Sequence, residues 1–409
     1  MGRFSPRDRP FGSFRGCGVK SASPCVLRCI ECRFMPELES EFRTWAEVSR
    51  GALRSNVDAI RARIHSKGGV MAVVKADAYG HGIENVVKAV GEKVDWFGVA
   101  NLQEALLVRR ASGCDFKPVL ILGSALPSER RAIAEAGFCP VVSSLEEASA
   151  YHLLAGNLGL DAVGVHLAVD TGMGRMGVWE REAEDTARAI LGLDRLRLTG
   201  IATHFPSADE DREYTRGQIE RFAALVTRLR AAGWSGLVHL ANSAGILGFP
   251  ESCEDLARVG LAIYGCPPIE GQNQILGVTL TWKTRVVLVR DLGAERSISY
   301  GRTFITEAPM RVATLAVGYA DGYPRSLSGS AARVLIRGVG CPLLGRVTMD
   351  QIMVDVSACP EVDSGEEVVL LGRQGAQQIT VNEMAKWAGT IPWEIFTGFG
   401  GRVVRVVVD

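Results

Sequence analysis

The 409-residue sequence has no excess of either charge: 46 Lys and Arg balance 46 Asp and Glu, and the sequence pI is about 7.0. Neither nucleic acid nor an anionic membrane is expected as a partner, because both select a basic face. Long apolar runs are missing as well. None approaches the roughly 20 residues needed to span a bilayer. The stretch after Arg3 is broken by charge, Gly and Pro throughout, unlike a signal peptide. Cysteine is sparse. Ten residues are too dilute for a disulfide scaffold, and Cys139 and Cys341 fall in apolar, strand-like runs. Reduced, mostly buried thiols in a cytoplasmic protein are the expectation. What remains is ordinary for a globular chain long enough for two or three domains: 47% hydrophobic and 22% charged residues.

The first 34 residues stand apart, with seven Lys or Arg against two acidic residues and no helical or strand period. A domain-like pattern begins at Thr44-Trp45-Ala46-Glu47-Val48. Residues 1–43 are therefore expected to be an extra tail, disordered or derived from a misplaced translation start ahead of Met35. The tail holds Cys25, Cys29 and Cys32 in a C-x3-C-x2-C spacing. Radical enzymes use that spacing for an iron–sulfur cluster, but they place it after a barrel strand. No strand-like run precedes Cys25, so an accidental match is expected, and no metal.

From about residue 50 to 280, strand-like and helix-like segments alternate. The strand candidates are Met71–Lys75, Trp96–Ala100, Pro118–Leu122, Pro140–Ser143, Val163–Val169, Arg197–His204, Leu237–Ala241 and Arg258–Tyr264. Amphipathic stretches such as Asn101–Ala111 and Gln218–Ala231 separate them. Eight such βα units in about 230 residues predict an α/β fold with an N-terminal (β/α)8 TIM-type barrel over residues 44–280. Beyond it, alternating runs punctuated by Gly, Asp and Pro (Thr284–Val289, Arg311–Val317, Ala332–Ile336, Glu366–Leu371) predict a mostly antiparallel C-terminal β domain over 281–409. Its one helix candidate is Val381–Gly389. Residues 44–48 are candidates to join that domain.

Barrels carry chemistry at the C-terminal ends of their strands. Lys75 ends the first strand candidate, where a half-buried amine would have a lowered pKa and Schiff-base reactivity. Arg175 follows the fifth strand in Asp170-Thr-Gly-Met-Gly-Arg-Met-Gly177, and His204 closes the sixth. Asn242 and Ser243 follow the seventh, and Arg258 and Gly260 lie in the eighth. Each alone reads as an unremarkable loop residue; together they populate five strand ends. Ser243 and the backbone around Gly260 suit a phosphate, which barrels often hold near strands seven and eight.

Ala72–Gly82 and Asp170–Gly177 resemble two signatures of the alanine racemase family. So do Thr203-His-Phe, Ala241-Asn-Ser-Ala, Ser299-Tyr-Gly, Gly318-Tyr-Ala-Asp-Gly and Arg346-Val-Thr-Met-Asp350, in family order, over about residues 44–409. The resemblance implies a pyridoxal 5'-phosphate enzyme interconverting L- and D-alanine, with D-alanine destined for peptidoglycan. It also implies a head-to-tail homodimer whose active sites pair the barrel of one subunit with the β domain of the other. By the same resemblance, Lys75 carries the cofactor and acts as the base on one substrate face, while Tyr300, across the dimer, is the base on the other. Tyr79, Ser243, Gly260 and Leu261 hold the phosphate. His204 lies beside the ring and Arg258 faces its nitrogen. Arg175 and the backbone N–H of Met349 contact the substrate carboxylate.

Two positions depart from the family. Ala168 stands where many members have a carbamylated lysine, and Trp393 replaces a phosphate-binding tyrosine. Other enzyme and binding classes fit less well. A non-catalytic cofactor-binding barrel would lack residues 281–409, and a decarboxylase of basic amino acids would need a catalytic cysteine and a glycine triplet. A racemase of broader or different specificity, for serine for example, is the nearest alternative.

Overall fold

Apolar runs bounded by Gly, Asp and Pro become strands, and the amphipathic stretches between them become helices. The computed structural model describes residues 42–64, 68–113, 117–269 and 276–409, so the N-terminal cysteine motif lies outside the described residues. After β1 (Thr44–Ser49) and α1 (Arg50–Arg61) come eight barrel strands: β2 (Gly69–Val73), β3 (Trp96–Val99), β4 (Val119–Ile121), β5 (Cys139–Val142), β6 (Val163–Asp170), β7 (Leu196–Ala202), β8 (Leu237–His239) and β9 (Leu256–Val259). Between them run α2 (Ile83–Val90), α3 (Leu102–Ser112), α4 (Arg130–Glu135), α5 (Leu145–Leu158), α6 (Ala183–Leu191), α7 (Arg212–Ala231) and α8 (Ser243–Gly248). Neighbouring strands are parallel in the order β9-β2-β3-β4-β5-β6-β7-β8. The two ends meet through Arg258 N donating to Ala241 O at 3.0 Å, which brings the barrel close to closure.

The pattern of side chains explains the arrangement. Met71, Leu120, Val141, Ala168 and Leu256, all on barrel strands, form a buried apolar cluster of their own. Such a layer is what fills the interior of a (β/α)8 barrel. Helix starts follow from their caps: Asn101 and Ser144 accept from Glu104 N and Glu147 N, opening α3 and α5. The eighth strand was expected to run from Arg258 to Tyr264, but β9 ends at Val259. Apolar composition misled there, because Gly260 to Tyr264 coils into a turn in which Ile263 N donates to Gly260 O.

The β domain consists of β10 (Leu280–Leu292), β11 (Met310–Leu315), β12 (Arg333–Ile336), β13 (Val339–Leu344), β14 (Ile352–Asp355), β15 (Glu367–Gln374), β16 (Gln377–Ile379) and β17 (Val404–Val408). With β1 they form one sheet in the order β16-β15-β12-β13-β14-β11-β10-β1-β17, in which only the β1–β17 pair is parallel. Two helices complete it. Val381–Ala388 was expected, and Thr380 and Glu383 close a capping box at its start. Pro392–Thr397 was not; six residues carry too little periodicity to read, although Pro392 at its first turn is a start signal.

Asn56 on α1 ties that helix to the segment that follows β9. Its amide donates to Ile263 O (3.0 Å) and Gly277 O (2.9 Å), and its oxygen accepts from Gly277 N (2.7 Å), all inside a site 1% exposed. Asn56→Ala leaves those backbone groups without partners. It is expected to lower unfolding stability by about 2–4 kcal/mol, read from urea unfolding; a loss well below 1 kcal/mol would mean that the stitch is not needed.

Candidate active site

The ends of the barrel strands surround a cavity of about 500 Å³. It is lined by Lys75, Tyr79, Arg175, His204, Ser243, Arg258, Gly260 and Leu261, with Ala168 and Trp393 in its wall. Eight of the ten site residues picked from sequence are thereby brought together. Tyr300 and Met349 are not among them. They lie on the β domain, 70% and 53% exposed, outside this cavity.

Lys75 follows β2 by two residues and starts an unusual turn. Ala76, Asp77, Ala78 and Tyr79 all have φ between 51° and 54°, the left-handed region. Side chains with a Cβ resist that region by roughly 1–2 kcal/mol per residue, so the turn must be held from outside. Asp77 Oδ1 accepts from Ile83 N at 2.9 Å, and Glu104 Oε1 accepts from Ala76 N at 2.7 Å. Tyr79 stacks on Tyr264 with ring centroids 4.7 Å apart. At Gly80 (φ 76°) a Cβ would lie 2.0 Å from Phe396 O, so the second β-domain helix packs directly on the turn. The half-buried Lys75 amine is pushed below its usual pKa, first by burial and then by the Arg175 charge; Glu104 opposes this, and Arg258 adds to it.

Opposite Lys75, the buried Arg258 guanidinium has five acceptors. Nη1 donates to His239 O (2.7 Å) and His239 Nδ1 (2.9 Å). Nη2 donates to Thr203 O (2.7 Å), Leu240 O (2.9 Å) and His204 Nδ1 (3.1 Å). Burial, with the Arg175 charge behind it, pulls the Arg258 pKa down to about 10. Because a guanidinium only donates, both histidines must present a bare Nδ1, which assigns their protons to Nε2. His239 Nε2 then donates to His166 Nδ1 at 2.8 Å. Burial and the Arg258 charge hold His204 and His166 down to about 3 and His239 well below its usual value.

The third corner is a hydroxyl-rich cradle. Ser243 Oγ accepts from Gly260 N (3.1 Å) and Ala262 N (3.3 Å). A Cβ at Gly260 would lie 2.5 Å from Tyr79 Oη, so only glycine lets the two hydroxyls converge there. Asp170, at the end of β6, shapes the Arg175 loop by accepting from Gly172 N, Met173 N and Gly174 N at 2.8–3.2 Å. Sequence reasoning singled out neither His239 nor Glu104. His239 does end a barrel strand, and Glu104 completes an Asn-x-x-Glu start signal, so each carried a local sign of its place.

Three comparisons bear on this site. Residues 48–268 match the family model "Alanine racemase, N-terminal domain", and residues 279–407 match "Alanine racemase, C-terminal domain". The alanine racemase of Symbiobacterium thermophilum is 45% identical over 374 residues, covering 90% of this chain and 98% of its own. The alanine racemase of Bacillus anthracis, solved with bound L-Ala-P, superposes with a TM-score of 0.82 at 35% identity, over 90% of this chain and 96% of that one. That of Bartonella henselae, solved with covalently bound pyridoxal phosphate, superposes with a TM-score of 0.82 at 25% identity, over 90% of this chain and all of that one.

The buried histidines set a pH dependence. Their folded pKa values lie below the ordinary 6.5, so the unfolded chain binds more protons between about pH 3 and 6.5. Their contribution to stability is complete above about pH 6.5 and is lost as pH falls through that window, by about 2 kcal/mol at pH 5 for each of His204 and His166. Urea midpoints measured from pH 7.5 to 5 are expected to fall, and His166→Gln should flatten the slope. A flat wild-type profile would contradict the neutral network.

Proposed function

The chain belongs to the alanine racemase family, and from that premise we propose that it interconverts L- and D-alanine with pyridoxal 5'-phosphate as cofactor, acting in the cytoplasm to supply D-alanine for the cell wall. The observation that carries this is the convergence of a half-buried lysine, a buried arginine and a hydroxyl cradle on one cavity. No observation favours serine.

The residues present fit the cofactor. Tyr79 and Ser243 offer hydroxyls on either side of Gly260, where a side chain would fill the cradle, and they are assigned to the phosphate with Gly260 and Leu261. Lys75 is the amine that would bind it covalently. Arg258 is assigned to the pyridine nitrogen and His204 to the ring face. When bound, the cofactor supplies an electron sink that makes the substrate Cα proton acidic. Arg258 moderates that sink, since a guanidinium, even with its pKa near 10, holds its proton near neutrality rather than giving it to the ring.

Racemisation needs a proton to leave one face of Cα and return on the other. The lowered pKa of Lys75 leaves more of its amine neutral and able to take a proton on one face. Tyr300 is assigned to the opposite face, and Met349 N–H with Arg175 to the substrate carboxylate. The exposure of Tyr300 and Met349 outside the cavity supports a homodimer in which Tyr300 of the partner subunit reaches the barrel. Trp393 lies in the cavity wall; tryptophan donates only one N–H, so it gives a phosphate less than a tyrosine hydroxyl would.

Borohydride reduction of the loaded protein followed by peptide mass mapping is expected to mark Lys75; a mark elsewhere would overturn the assignment. Tyr300→Phe is expected to cut racemisation by about 10²-fold or more, while the D-isomer still exchanges its Cα proton with deuterated water through Lys75. Equal loss of exchange from both isomers would refute two bases on two faces.

A further inference from the structure

Glu104 does more than start a helix. It stands third in α3, where a glutamate ordinarily reaches back to the backbone at the helix start. Its Oε2 does that, accepting from Ala100 N at 2.7 Å. Its Oε1 crosses to the turn that follows β2 and accepts from Ala76 N at 2.7 Å. The β2–β3 ladder ends with Val74 N donating to Gly98 O. Beyond it the chain turns left-handed at Ala76, so the Ala76 N–H has left the ladder, and the carboxylate takes it instead.

An internal comparison separates the two tasks. Glu147 occupies the same place in α5, and one of its oxygens accepts from Ser143 N at 2.7 Å. Among the described residues no amide of an adjacent strand is bonded to it. Helix starting therefore needs only one oxygen of such a glutamate, and the second bond of Glu104 is additional.

We propose that Glu104 is a positioning residue for Lys75: its carboxylate pins the left-handed turn to the neighbouring βα unit and holds one negative charge against the amine. This rests on Lys75 being the cofactor lysine. The other groups around that amine are Arg175 from the loop after β6, Arg258 from β9, His204 beyond β7, Asp77 and Tyr79 on its own turn, and Asp209 in the cavity wall. Arg175 and Arg258 press the amine toward neutrality, and Glu104 opposes them.

The test compares Glu104→Gln, Glu104→Asp and Glu147→Gln in the loaded enzyme. One readout is the pH titration of the bound cofactor's visible absorbance, which follows the proton on the Lys75 nitrogen. The other is hydrogen exchange at the Ala76 amide by mass spectrometry. E104Q is expected to lower the absorbance midpoint by about 1 pH unit, a tenfold change in proton affinity, and to speed Ala76 exchange roughly tenfold. E104D keeps the charge but is one methylene too short to span both amides, so it should restore the midpoint and not the protection. It also keeps the test open should E104Q fail to fold. E147Q should change neither. The proposal is overturned if E104Q matches E147Q in both readouts, or if E104D and E104Q cannot be told apart. Borohydride marking of a different lysine would remove the cofactor assignment, while Ala76 exchange would still report on the pin.

Discussion

A guanidinium buried at the open end of a barrel dictates what everything near it must be. Arg258 is 6% exposed, and an uncompensated charge at such a depth would cost far more than one domain's stability. Two strand ends therefore turn acceptors toward it: the carbonyls of Thr203, His239 and Leu240, and the Nδ1 atoms of His204 and His239. The same strand that carries the guanidinium also joins the barrel's two ends through Arg258 N and Ala241 O. The neutral histidines follow from satisfying one cation, and the strand that carries it is the one that brings the barrel close to closure.

The second constraint is the strained turn after Lys75, and it ties the two halves of the molecule. Four consecutive left-handed residues hold the lysine at the cavity edge, and their conformational cost is met by contacts from three directions. Glu104 reaches in from α3, Tyr264 stacks from beyond β9, and the β domain closes from outside, where Arg405 Nε donates to Gly80 O at 2.9 Å. The β domain thus acts on the site within its own chain.

How far the sequence alone reached depends on where each signal resides. Barrel strands and the order of site residues were readable because apolar runs and the polar residues ending them are local in the chain. Arg258–Tyr264 was read too long because a buried turn is as apolar as a strand, and only Gly260 hinted at the break. Helix Pro392–Thr397 escaped because one and a half turns leave no period. The left-handed turn had almost no sign: Asp77 tolerates such backbone, but Ala76, Ala78 and Tyr79 do not favour it, and tertiary contacts impose it. Glu104 and His239 went unremarked for a related reason, since their roles lie in atoms brought together from other strands.

The central claim is that each active site is completed by a second copy of the chain, the barrel supplying Lys75 and the partner supplying Tyr300. Mixing two inactive variants tests it most directly. Lys75→Ala and Tyr300→Phe, unfolded together and refolded at equal concentration, would form mixed dimers in which one of two sites regains both bases. Racemase activity of about a quarter of the wild-type value is expected from random pairing of a two-fold symmetric dimer. A mixture as inactive as its components, with mixed dimers verified by mass spectrometry, would mean that both bases come from one chain and that the shared site is wrong.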